Sequence, residues 1–256
     1  MKILAVGDIV GKTGLQKLKD VLPYILKEKE IDFVIVNGEN AADGMGLTEK
    51  MYREILALNV DVVTMGNHTW GKKEIFNFIE DKNIIRPANY PSNNPGKGYE
   101  FFECKNKTIA VINLIGRTTM SVLSENPFII AKDIIDEIKE AVDIIIIDFH
   151  AEATAEKIAL GYYLDGEATI IFGTHTHVQT ADEKILEKGT AYISDIGMTG
   201  PKRSVIGMDV EASIKRFVTS LPEKYKVADG KGMFNSCIFE IDENTNKVTK
   251  IERLNK

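Results

Sequence analysis

The chain has 256 residues, 44% of them hydrophobic and 27% charged, with only seven prolines. This composition excludes a mainly disordered or fibrous protein and leaves one large α/β domain or two small ones. A net charge of −6 argues against a long nucleic-acid partner, which calls for a basic face, but not against a small anion held by local positive charge.

In chain order, residues 3–6 read as a short buried strand, and residues 15–29 carry Leu15, Leu18, Leu22, Ile25 and Leu26 at helical spacing. Strands at 33–36 and 60–65 bracket a helix at 49–58. A helix at 72–80, a short strand at 84–85 and a Pro-, Asn- and Gly-rich loop at 86–98 follow. Residues 101–104 and 108–114 flank Lys105-Asn106-Lys107 and read as a hairpin turning at Asn106.

A polar stretch at 117–126 precedes a helix at 129–142, an apolar strand at 143–149, a helix at 154–164 and a strand at 168–172. Strands at 184–186 and 190–194, a Gly-rich loop, a helix at 210–220 and a closing hairpin of 236–241 with 248–254 complete the pattern. Alternating βα units with uniformly apolar strands predict parallel pairing with helices on both outer faces, and the hairpins predict a mixed second sheet. No linker, repeat or composition break interrupts residues 1–256, so a single domain is expected.

The four apolar residues before Asp8 are too few for a signal-peptide core, and the run around residues 144–147 is far below the roughly 18 residues needed to span a bilayer. A cytoplasmic protein with no membrane partner is expected. Cys104 and Cys237 stand far apart and in no CxxC spacing, which predicts free thiols.

Five loops repeat one arrangement, in which an apolar strand ends, usually at glycine, and a metal-capable side chain follows at once. They are Gly7-Asp8, Gly38-Glu39-Asn40, Gly66-Asn67-His68, Phe149-His150 and Gly173-Thr174-His175-Thr176-His177. In open α/β sheets ligands bind beyond the carboxyl ends of the strands, so these loops are expected to converge. Asp8, Glu39, Asn40, Asn67, His150, His175 and His177 are too many donors for one tetrahedral zinc and suit two divalent metal ions sharing a bridging carboxylate. The mixture of imidazole, amide and carboxylate favours iron or manganese over magnesium. Taken singly, each residue has a plainer reading: Asp8 or Glu39-Asn40 as a cap, Asn67 as a turn residue, His150 as a core histidine. Residues 7–13, Gly-Asp-Ile-Val-Gly-Lys-Thr, imitate a phosphate-binding loop but are one residue short and carry a carboxylate inside it. Lys12 and Thr13 are expected to start a helix instead.

In order, these blocks resemble those of the calcineurin-like metallophosphoesterases over nearly the whole chain. That family has Asp-x-His in its first block, where Val10 replaces the histidine here, and Gly-Asp in its second, where this chain has Gly38-Glu39-Asn40. With residues 86–91 and 195–201, these departures are similar to the bacterial YmdB-like branch. The resemblance implies a four-layer αββα sandwich and a phosphodiesterase that converts 2′,3′-cyclic nucleotides to 3′-monophosphates by attack of a metal-bridging hydroxide. It implies one metal on Asp8, Glu39, Asn40 and His177 and another on Glu39, Asn67, His150 and His175, with His68 as general acid. Cleavage of monoesters or phosphorylated proteins, or sensing of a cyclic nucleotide, are the alternatives. Arg86, Asn89, Arg117 and the loop 197–203 are candidates for the pocket wall, each equally readable as loop punctuation or surface charge. The oligomeric state stays open, a homo-oligomer included.

Overall fold

Short apolar segments separated by amphipathic ones favour strands covered on both faces and joined by helical crossovers. The computed structural model, which describes residues 1–224 and 226–256, follows that logic. β1 (Lys2–Val6) leads through β2 (Asp8–Ile9) into α1 (Gly11–Lys29), then β3 (Phe33–Asn37), α2 (Glu49–Leu56), β4 (Val62–Thr64) and β5 (Ile84–Ile85). The hairpin of β6 (Tyr99–Cys104) and β7 (Lys107–Ile115) precedes α3 (Pro127–Ile138), β8 (Ile144–His150), α4 (Thr154–Tyr163) and β9 (Ile170–Thr174). β10 (Lys184–Ile185), β11 (Ala191–Ile193), β12 (Met198–Pro201), α5 (Val210–Thr219), β13 (Gly232–Met233), β14 (Asn235–Asp242) and β15 (Lys247–Asn255) follow.

The strands form two six-stranded sheets, ordered β15-β14-β1-β3-β4-β5 and β10-β11-β9-β8-β7-β6. Each has a parallel run, β1-β3-β4-β5 in the first, extended on one side by antiparallel β14 and β15, and β11-β9-β8-β7 in the second, flanked by antiparallel β10 and β6. Because side chains alternate across a strand, each sheet feeds two cores. Leu4, Val6, Val34 and Val36 pack with Leu15, Leu18, Leu22, Tyr52 and Ile55 of α1 and α2. Ile3, Ala5, Phe33 and Ile35 face Ile109, Val111, Ile144, Ile146, Ile170 and Phe172 of the second sheet. On that sheet's far side, Ile112, Leu114, Ile145 and Ile147 pack with Ile134, Ile135 and Leu160 of α3 and α4. Three apolar interfaces between four layers make the αββα sandwich.

Two features depart from the sequence reading. Residues 72–80 form a 3₁₀ turn (Lys73–Asn77) rather than a helix: Ile75, Phe78 and Ile79 bury at helical spacing, but one tight turn suffices to do so. α1 begins at Gly11, so Lys12 and Thr13 open the helix as expected, and its first turn packs on backbone. A Cβ on Gly14 would stand 2.2 Å from the Thr199 carbonyl oxygen, so that turn carries no side-chain signal. The third sheet, β13-β12-β2, has no counterpart in the sequence reading, and it sets Asp8 in register with Met198. The hairpin turn lies where expected, with Lys105 and Asn106 both left-handed (φ 47° and 61°), and both cysteines are free. Among the described residues no helix is long and apolar enough to cross a membrane.

Candidate metal centre

The parallel strands end along one edge of the sandwich, and the side chains that follow them meet there. Asp8 opens β2, Glu39 and Asn40 follow β3, Asn67 and His68 follow β4, His150 ends β8, and His175 and His177 follow β9. Asp8, Glu39, Asn40 and His150 are buried, while Asn67, His68, His175 and His177 are partly open. Gly66 makes the meeting sterically allowed: a Cβ there would lie 2.4 Å from His150 Cδ2 and 2.5 Å from Glu39 Oε2.

Two groups of atoms form. In one, His150 Nε2 lies 2.9 Å from Asn67 Oδ1, 3.0 Å from Glu39 Oε1 and 3.0 Å from His175 Nδ1. Glu39, His150 and His175 place one ligand atom each within 4.8 Å of one another. In the other, His177 Nε2 lies 3.2 Å from Asn40 Nδ2 and 3.6 Å from Asp8 Oδ1, and Asn40 Nδ2 lies 3.1 Å from Glu39 Oε1. Glu39 belongs to both. His68 stands beside them, its backbone N–H donating to Glu39 Oε2 at 2.8 Å and its Nδ1 lying 2.9 Å from Asn40 Oδ1.

Hydrogen bonds behind the imidazoles settle which nitrogen each one presents. The Thr174 hydroxyl donates to Asp148 Oδ1 at 2.7 Å, so its oxygen accepts from His150 Nδ1 at 2.9 Å and Nε2 faces the cluster. The Ile206 carbonyl accepts from His177 Nδ1 at 2.8 Å, again leaving Nε2 inward. His175 is reversed: its Nε2 faces the Glu152 carboxylate at 3.2 Å and its Nδ1 points inward. His175, His177 and Ile206 have left-handed backbone, with φ of 96°, 65° and 48°. For side-chain-bearing residues such strain costs of the order of 1–3 kcal/mol each and gathers at sites whose geometry must be held.

Electrostatics favours cations. Burial alone would raise Glu39, yet His150 and His68 hold its carboxyl well below the usual range. Burial likewise works against ionised Asp8, and His177 outweighs it. Burial would lower His177 and His150, but Asp8 drives the first up to about 9, and Glu39 drives the second upward. His175 goes down to about 3 through burial and the nearby His150 charge, so it is a neutral donor. Two buried carboxylates therefore draw positive charge to the inward nitrogens of His150 and His177, the places where cations would displace protons. The donor set fits a metal pair with one adjustment. Asn40 turns Nδ2 toward Asp8, Glu39 and His177, and ligation calls for the reversed amide, which would hand an N–H to His68 Nδ1.

The sequence profile of the YmdB-like protein family matches residues 4–254. The chain belongs to the YmdB-like family. It is 51% identical to the 2′,3′-cyclic-nucleotide 2′-phosphodiesterase of Bacillus subtilis (strain 168), over 99% of this chain and 96% of that one. A crystal structure of a Mycoplasma pneumoniae phosphatase superposes with a TM-score of 0.95 at 40% identity, covering 100% of this chain and 93% of that one. One of a hypothetical protein from Thermus thermophilus gives 0.94 at 38%, covering 100% and 99%.

All eight residues singled out in the sequence stand together in this YmdB-like protein. Glu39, Asn40, His68, Glu152, His175, Thr176, His177, Ile206 and Met208 line a cavity of about 250 Å³. The four suggested wall elements do not line it. Arg86 bonds the carbonyls of Pro87, Asn94 and Pro95, and Asn89 clips Ile115 to Glu125, so both spend their polarity on loop backbone. Arg117 is exposed, and residues 198–201 of the loop are β12. The sequence reading misses Asp148, Thr174, Glu152 and Ile206. Asp148 alone has a signal, as a carboxylate inside an apolar strand and on the same face as His150.

Proposed function

We propose that this YmdB-like protein is a dinuclear-metal phosphodiesterase that opens 2′,3′-cyclic nucleotides to 3′-monophosphates. The observation that carries this reading is the pair of four-donor groups sharing Glu39: Asp8, Glu39, Asn40 and His177, and Glu39, Asn67, His150 and His175. The reaction named for the Bacillus subtilis relative supports it. Imidazole with amide and carboxylate oxygens favours iron or manganese. Bound there, the pair supplies Lewis acidity and a hydroxide nucleophile at neutral pH.

The chain's own residues do the rest. His68 is held by Glu39 and Asn40 yet stays partly open to the cavity, where it can protonate the 2′ oxygen as its bond to phosphorus breaks. The cavity of about 250 Å³ lies below the usual range of ligand pockets, roughly 300–1,000 Å³, so it takes the phosphoester end and leaves the base toward its rim. Ile206 and Met208 give that rim an apolar wall. The test is metal content and 2′,3′-cyclic AMP hydrolysis on one sample, with product position resolved by chromatography. Two metals and the 3′-monophosphate are expected. Two metals without turnover would redirect the centre to another phosphoester, and failure to take up iron or manganese would remove it.

A further inference from the structure

Behind the turn that carries His175 and His177 lies an ion pair of 2.7 Å between Lys157 of α4 and Asp195, which follows β11. Its partners are 2% and 1% exposed, so neither charge is solvated. A pair this deep is maintained only where close geometry and further hydrogen bonds offset the loss of water. Nearly all of those further bonds go to one turn. Lys157 Nζ donates to the Thr174 carbonyl at 2.8 Å. Asp195 Oδ2 accepts from the Thr176 N–H at 3.1 Å and the Thr176 hydroxyl at 2.8 Å. Its Oδ1 accepts from the Gly197 N–H at 2.8 Å, and the Gly197 carbonyl in turn accepts from the Asp8 N–H at 3.1 Å.

The Thr174 carbonyl belongs to the peptide group before His175, and the Thr176 N–H to the one after it. Rotation between those two planes is the backbone conformation of His175, whose φ of 96° is one that a residue with a side chain rarely adopts. Without these bonds His175 is expected to relax toward negative φ, against the 3.3 Å bond that its own N–H donates to Asp8 Oδ2. We propose that Lys157 and Asp195 are positioning residues for the metal centre. By gripping both peptide groups that flank His175 they impose its left-handed backbone, and so aim Nδ1 at Glu39 and His150. The same carboxylate ties that turn, through Gly197, to the backbone of Asp8. The inference rests on the metal-centre reading above.

The variants are Asp195→Asn, which keeps the side-chain shape, Lys157→Met, and the two combined, which leaves no unpaired buried charge if Lys157→Met alone does not fold. Asp165→Asn is the structural control: Asp165 is buried and accepts from the Lys188 and Thr190 amides, away from the turn. In chelator-treated protein, hydrogen exchange at the Thr176 amide is expected to quicken about tenfold or more in the Asp195 and Lys157 variants, with β9 unchanged. Manganese(II) titration should show affinity at the His175-containing group reduced about 10- to 100-fold, the range for loss of a residue that orients a metal ligand. Asp165→Asn should lower the melting temperature and leave manganese affinity alone. Folded Asp195 and Lys157 variants with wild-type exchange at Thr176 and wild-type manganese affinity would overturn the proposal. If the wild type itself takes up no manganese, the metal reading fails, while exchange at Thr176 still decides whether the pair holds the turn.

Discussion

Thr174 fixes the tautomer of His150. Its hydroxyl has one proton, and that proton is committed to Asp148 at 2.7 Å, so the contact at 2.9 Å with His150 Nδ1 runs from ring to oxygen. Thr174→Val is therefore expected to leave the ring without its guide and the buried Asp148 with one partner fewer. Metal affinity should fall about 10- to 100-fold. Unfolding free energy should fall by roughly 1–3 kcal/mol, the cost of an orphaned buried polar group. Metal titration and urea denaturation of one preparation check both.

Glu39→Gln separates the centre from the fold. Glu39 is fully buried and the neighbouring imidazoles hold its carboxyl well below the usual range, so a neutral isostere of the same shape should still fold in chelator, with lower stability at neutral pH. Turnover should drop by about 10²–10³-fold, the scale of losing one major electrostatic contribution to the transition state. Near wild-type turnover would sink the shared-ligand assignment.

His68→Ala should keep both metals, because its imidazole enters neither donor group. Hydrolysis of a cyclic nucleotide is expected to slow by roughly 10²–10⁴-fold, the range for a missing proton donor. An aryl phosphodiester, whose leaving group needs no proton, should suffer much less. Metal loss in this variant would make His68 a ligand instead.

Between pH 6.5 and 9 the metal-free and metal-loaded proteins should move in opposite directions. His177 is raised from 6.5 to about 9, so its contribution to stability is complete below its ordinary value and is lost as pH rises through about 9. Asp148, raised to about 6 by burial, has finished titrating before most of that window. The chelated protein should melt at lower temperature at pH 9 than at pH 6.5, by about 2–4 °C for each kcal/mol lost. If His177 is a ligand as proposed, metal uptake displaces its proton, so affinity should climb over the same range, up to about tenfold per pH unit for one proton. Calorimetry in buffers of different ionisation heat would count the protons released.

The donors are legible because each follows an apolar run directly, so the end of a strand and the start of chemistry coincide in the sequence. The alternating cores are legible for the same reason, in runs such as residues 144–147. β2 and β13 are not, since neither Asp8-Ile9 nor Gly232-Met233 is an apolar run, unlike Ile84-Ile85 of the equally short β5. Lys157 is hidden because a helical lysine ordinarily faces water, although it keeps register with Leu160 and Leu164 on the buried side of α4. Its partner Asp195 lies 38 residues away, and only the folded chain brings the two together.

Asp8, Glu39, Asn40 and Asn67 leave strands of the first sheet, whereas His150, His175 and His177 belong to the second. On the proposed metal-centre reading, an ion held from both sides would be a rivet through the seam of the sandwich as much as a reagent. At a hundred times its dissociation constant it adds about 2.7 kcal/mol to the folded state. On that reading, starving the protein of metal would loosen the joint between the two halves as well as silence it, and its lifetime would follow the supply of the ion.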